Sequence, residues 1–116
     1  MRAIEFYRTK NGSCPIEEFL DSLSDRHAQK AAWTFRLVKR LQIVPQQYFK
    51  KLSGTDELWE IRVQQGGERS RYLGFFDGST LLVLTSAFIK KQQKTPRSEI
   101  EIAQQRRADY LHRKTS

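Results

Sequence analysis

The chain has 116 residues, with 21 Lys or Arg against 13 Asp or Glu, a formal charge of +8 and 38% hydrophobic residues. That length suits one core and predicts a single domain over residues 1–116. The lone cysteine, Cys14, excludes an intrachain disulfide and a multi-cysteine metal site, while the positive excess favours nucleic acid or another anionic partner. No apolar run has the length of a signal peptide or of the roughly 18 residues needed for a membrane span, so a cytoplasmic protein without membrane contact is expected.

Met1 to Arg8 places Ile4 and Phe6 on one side of an alternating stretch and reads as an amino-terminal strand. After Asn11 and Gly12, Ser13 and Pro15 mark a helix start, followed by Ile16, Phe19, Leu20 and Leu23 at helical spacing. Ser24 and Asp25 can cap a second, longer helix whose apolar positions are Ala28, Ala31, Ala32, Phe35, Val38 and Leu41. The two form a helical hairpin suited to covering one face of a sheet. His27 sits in it as scaffold.

Pro45 ends that hairpin, and the polar segment to Gly54 reads as irregular. From Leu58 the period changes to two. Trp59, Ile61 and Val63 alternate with Leu58, Glu60 and Arg62, and the pair Gly66-Gly67 turns the chain into a second strand, Arg69 to Phe76. Asp77-Gly78 turns it again into Leu81-Leu82-Val83-Leu84, an unbroken apolar run expected to be buried on both faces in the middle of a sheet. Trp59, Phe75, Phe76 and Phe88 read as core.

The last strand runs straight into a basic turn, Lys90, Lys91 and Lys94, and then into a helix from Pro96 to about Arg113, with Thr95 read as its N-cap. From Lys90 onward lie 8 of the 21 basic residues and only 3 of the 13 acidic ones. The fold expected is α+β. An amino-terminal strand and helical hairpin pack on a small antiparallel sheet of about four strands, and a carboxy-terminal helix follows.

The strings LWEIRV, SRYLGFFDG and LLVLTSAFIKKQQKTPRSEIEIAQQRR, spanning about residues 50 to 107, resemble toxins of the RelE/ParE superfamily, particularly its phage-related HigB-like branch. The most specific part is Lys90, Lys91, Lys94, Thr95, Pro96, Glu99 and Ile100. The resemblance implies a RelE-like fold and the toxin of a type II toxin–antitoxin pair. It implies an mRNA endoribonuclease working on the ribosome, neutralised by a cognate antitoxin that in this branch is a helix-turn-helix protein. Two departures stand out. Thr85 and Ser86 occupy positions where the branch often has His and Gly, and Arg71-Tyr72 reverses a common Tyr-Arg order.

RNA supplies its own nucleophile, the 2′-hydroxyl, so cleavage without metal or cofactor needs only cations on the phosphate and groups that move two protons. Arg62 and Arg71 are the candidate phosphate forks, with pairing to Glu60 across strands as the structural alternative. Lys90, Lys91 and Lys94 are candidates for the proton-transfer group, and nothing in the sequence selects among them. Glu60 reads either as the base or as a carboxylate holding Arg62. Tyr72 reads either as a base-stacking platform or as a core residue. Lys50, Lys51, Arg106 and Arg107 are candidates for ribosomal RNA phosphates or a solvated face. The only imidazoles, His27 and His112, lie outside the matching motifs. Two other readings remain open: a ParE-like poison of DNA gyrase, and a non-catalytic nucleic-acid-binding module.

Overall fold

The computed structural model describes residues 1–115. It contains β1 (Ala3–Phe6), α1 (Pro15–Asp21), α2 (Asp25–Arg40), β2 (Phe49–Lys51), β3 (Trp59–Gln65), β4 (Glu68–Asp77), β5 (Leu81–Ile89) and α3 (Arg97–Thr115). The α+β architecture is the one expected. None of the described helices is long and apolar enough to cross a membrane.

The sheet has five strands in the order β1-β5-β4-β3-β2, not four, and it is mixed. β3, β4 and β5 form the antiparallel meander, whereas β1 lies parallel to β5, with Ile4 opposite Leu82 and Phe6 opposite Leu84. The alternating pattern of an edge strand is the same in either direction. What sets it parallel is the helical hairpin, which leaves β1 and crosses the sheet before the chain re-enters at the far edge. The additional strand is β2, inside the segment read as irregular. Phe49 pairs with Ile61 there and stacks on Trp59 at 4.7 Å, giving three short residues a reason to extend.

Period two in the meander sorts side chains between two cores. Ile61, Val63, Tyr72, Leu82 and Leu84 face the hairpin, and Leu58, Leu73, Phe75, Val83 and Phe88 face α3. The buried run predicted for β5 thus splits evenly between the layers. On α2 the buried stripe is His27, Ala31, Thr34, Phe35 and Val38, whereas Ala32 and Leu41, expected to face the core, are exposed. Ser24 caps α2 by accepting from the His27 amide, as its position predicts.

At the centre of the meander the register slips by one residue. Gly74 pairs with Leu84 and Leu73 with Ser86, which leaves Thr85 as the extra residue of a bulge on β5. The backbones approach so closely here that a Cβ on Gly74 would lie 2.4 Å from the Val83 carbonyl oxygen. Thr85 is fully buried; its hydroxyl donates to the Leu73 carbonyl (3.2 Å), and its own carbonyl accepts from Arg106 (2.8 Å).

A polar chain, buried except at Glu68, ties α2 to β4. His27 Nδ1 lies 2.7 Å from Glu68 Oε1, His27 Nε2 lies 2.8 Å from Ser70 Oγ, and Ser70 Oγ lies 2.9 Å from the Tyr72 hydroxyl. Carboxylate, imidazole and hydroxyl stand in the order of a nucleophile triad, yet Ser70 has no exposure and no substrate reaches it. The chain is structural. His27→Ala removes a partner from the buried Ser70 hydroxyl and opens a void, so it should destabilise the fold by about 2 kcal/mol. A lowered urea midpoint with unchanged far-UV circular dichroism is the expected result, and an unchanged midpoint contradicts it.

Candidate functional site

Alternation on β3 sends Glu60 and Arg62 to the α3 side, and the pairing of Arg62 with Arg71 brings both arginines to the same patch of the sheet. Glu60 is the hub. Its carboxylate is 2% exposed, with Oε1 3.4 Å from Arg62 Nε and 3.6 Å from Arg71 Nε. Its other oxygen accepts a 2.7 Å hydrogen bond from the Thr95 hydroxyl. Thr95 therefore does not cap α3. The Pro96 carbonyl accepts the first helical bonds, from the Glu99 and Ile100 amides, and Thr95 instead clamps the basic turn onto the sheet. The helix begins at Arg97 with Pro96 directly before it, so Thr95 lies one residue too early to cap, and its hydroxyl proton goes to the buried carboxylate, a strong charged acceptor.

Strand β5 runs out at Ile89, and the Lys90 amide makes one further bond, to the Arg69 carbonyl. This anchors Lys90, which is only 8% exposed, in the cluster. Burial is the main influence that pushes its ammonium below the ordinary lysine range, and the Arg71 charge pushes further in the same direction against the opposing pull of Glu60. Arg71, 5% exposed, is likewise lowered by burial, with Glu60 opposing that shift, and it donates to the Ser70 carbonyl (3.0 Å). Neither Arg62 Nε nor Arg71 Nε completes a hydrogen bond. The cluster thus holds more positive charge than its one carboxylate satisfies.

Above it opens a cleft of about 410 Å³ whose lining includes Lys50, Lys51, Glu60, Arg62, Lys90 and Lys94. Lys50 stands opposite Glu60 in the β2–β3 ladder, which only the unforeseen strand β2 makes possible. Lys51 lines the same cleft while paired with Glu57 at 2.8 Å. Lys91 is exposed and does not line it.

The remaining candidates lie elsewhere. Tyr72 is fully buried between Phe19 and Phe35, and burial pushes its phenol up to about 12. No base can stack on it, which corrects the RNA-binding reading in favour of the core. Arg106 is committed to the Thr85 carbonyl, and Arg107 pairs with Asp56 at 2.9 Å while its guanidinium lies over the Phe75 ring. Both fasten α3 to the sheet rather than facing the cleft. Thr85 likewise does not line the cleft, and this position, set apart by the HigB-like resemblance, is here a buried backbone clamp.

A basic cleft, built on β2, β3 and the turn before α3, coincides with the part of the chain that carries a recognisable family signature: residues 18–108 match the family described as phage derived protein Gp49-like (DUF891). The chain belongs to this Gp49-like family. No curated protein matches it significantly. The Gp49-like family is phage-derived and belongs to the RelE/ParE-like toxin superfamily, whose toxins are partnered by an antitoxin. Within this Gp49-like chain, the Glu60–Arg62–Arg71–Lys90 cluster and the Lys94 turn all fall inside the matched residues.

Proposed function

We propose that this Gp49-like protein is a metal-independent mRNA endoribonuclease of the HigB-like type, which acts on the translating ribosome in the cytoplasm and is held inactive by a helix-turn-helix antitoxin. The observation that carries the reading is the Lys90 amine, buried beside two arginines that one carboxylate holds in place, at the floor of a cationic cleft.

In this reading Arg62 and Arg71 bind the non-bridging oxygens of the scissile phosphate and stabilise the charge that builds there in the transition state. A lowered pKa enlarges the neutral fraction of Lys90, which takes the proton of the 2′-hydroxyl as the 2′ oxygen bonds to phosphorus. The bond from phosphorus to the 5′ oxygen breaks, and the Lys94 ammonium at the mouth of the cleft protonates the leaving oxygen. The products are a 2′,3′-cyclic phosphate and a 5′-hydroxyl. Glu60 acts as a positioning residue, since Arg62, Arg71 and Thr95 already surround its oxygens.

Primer extension on a reporter mRNA in a reconstituted translation system, with and without ribosomes, tests this. Wild type should cut only in the presence of translating ribosomes. Arg71→Ala should slow the cutting about 10²- to 10³-fold, the usual effect of losing one donor to a transition-state oxyanion. Intact mRNA together with altered plasmid supercoiling would transfer the reading to gyrase poisoning. Binding to mRNA without cuts would leave a non-catalytic binding module.

A further inference from the structure

Strand β2 covers only Trp59 to Ile61 of β3, and the chain preceding it is held to β3 by the bond from the Arg62 amide to the Tyr48 carbonyl and a long one, 3.4 Å, from the Arg62 guanidinium to the Gln46 carbonyl. Beyond that point β3 has an open flank, and a second groove of about 520 Å³ runs along it between α2 and the β3–β4 hairpin. Its lining includes Lys30, Tyr48, Arg62, Gln64, Arg69 and Arg71, four cations in all, and no carboxylate lines it anywhere. Arg62 also lines the cleft above Lys90, so the two depressions share a wall. Tyr48 is half-exposed and braced edge-on by Trp33, with ring centroids 5.6 Å apart and planes at 73°. The Lys30 ammonium rests 4.4 Å from the centre of the Trp33 ring.

We infer that this groove is a second subsite for single-stranded RNA, in which Lys30 and Arg69 hold backbone phosphates and Tyr48 stacks on an unpaired base, while the neighbouring phosphate lies in the Lys90 cleft. The identity of the polymer rests on the ribonuclease reading. The groove itself rests on three observations: cations unrelieved by any lining carboxylate, an aromatic ring among them, and continuity through Arg62 with a buried cationic cluster whose Arg62 and Arg71 Nε atoms complete no hydrogen bond. Alternating cations and flat rings are what a sugar-phosphate chain with splayed bases requires. An acidic protein segment would use the cations and leave the ring without a role.

The test is equilibrium binding of the full chain to an uncleavable 2′-O-methyl RNA of roughly eight nucleotides, within the span that single-strand sites cover, and to a dinucleotide that fills only the Lys90 cleft. Lys30→Ala combined with Arg69→Ala should lower affinity for the longer RNA and reduce the steepness of its salt dependence by about 1.4 on logarithmic axes, the value for two phosphate contacts. Dinucleotide binding should not change. Tyr48→Ala should weaken the longer RNA about tenfold without altering the salt slope. Because Lys30 covers Trp33, RNA binding should also change tryptophan emission, and Trp33→Phe should remove that change. Unaltered affinity and slope in these variants, or loss of binding to an acidic peptide but not to RNA, would overturn the subsite. Cleavage is scored separately: a wild type that cuts while the groove variants bind normally refutes the groove alone, and one that binds through the groove without cutting refutes the ribonuclease reading alone. Failure of wild type to bind the longer RNA refutes both.

Discussion

Replacing Lys90 with Met is expected to abolish RNA cleavage and at the same time make the fold more stable. A proton-transfer group contributes on the order of 10²- to 10⁴-fold, so loss of the amine should suppress growth arrest completely in cells. Met fills the same channel without a charge. In the folded protein the ammonium is disfavoured by burial first and by Arg71 second, so the native state carries a cost that the unfolded chain does not. The gain from removing it should be on the order of 1 kcal/mol, the usual scale when an active site trades stability for function. The sign with pH follows from linkage. The folded pKa lies below the unfolded value, so at pH below the folded pKa both states are protonated and the penalty is fully present. As pH rises through the folded pKa toward 10.5, native Lys90 sheds its proton first and the penalty disappears. The stability advantage of Lys90→Met should therefore be largest below the folded pKa and shrink as pH rises through it. Urea midpoints measured across that range, beside cleavage rates, check both halves. A destabilised variant, or one that still cuts, would remove Lys90 from the role assigned to it.

The largest structural effect is expected at Glu60. Glu60→Ala leaves Arg62, Arg71 and Lys90 crowded without their common counter-charge and takes the acceptor from Thr95. Breaking a buried ion pair from one side typically costs about 3 to 5 kcal/mol, because the charge left behind is desolvated and unpaired. Glu60→Gln retains an acceptor for Thr95 and should lose less. The expected signature is a steep fall in the denaturation midpoint that added inorganic phosphate partly reverses, since an anion can occupy the site the carboxylate vacated. A change below about 1 kcal/mol in Glu60→Ala would show that solvent already neutralises the cluster. The pair of glutamate variants also separates base from positioner. A Glu60→Gln protein that stays folded and retains more cleavage than Lys90→Met fits a positioning role, whereas equal loss would make Glu60 the base.

Several of these residues were legible in the sequence because their placement follows from periodicity. Alternation alone puts Glu60 and Arg62 on the face opposite Ile61, and it sets Arg71 beside them once Gly66-Gly67 fixes the hairpin register. Residues whose role depends on contacts from distant segments were not legible. Tyr72 alternates as well as any stacking residue would, but α1 and α2 close over it. Arg106 and Arg107 read as free cations until a bulge carbonyl and Asp56 take them up. The groove residues Lys30, Tyr48 and Arg69 carried no shared signal, since they lie on three separate stretches of chain that meet only beside the open flank of β3. Arg69 alone left a trace, at the two-residue spacing before Arg71.

By itself the sequence determined seven of the eight elements of this protein, the two apolar faces of its meander and the basic turn after β5, because each depends on a local period or on turn chemistry within a few residues. Only the tertiary structure decided that β1 runs parallel to β5, that Phe49–Lys51 becomes a fifth strand, and that Thr95 binds Glu60 instead of capping α3. It also distinguished Lys90 from Lys91 and Lys94. Three lysines in one turn are equivalent as a string. Burial beside Arg71 is what lowers the pKa of Lys90, and burial is a property of the packed sheet and helices, not of the turn.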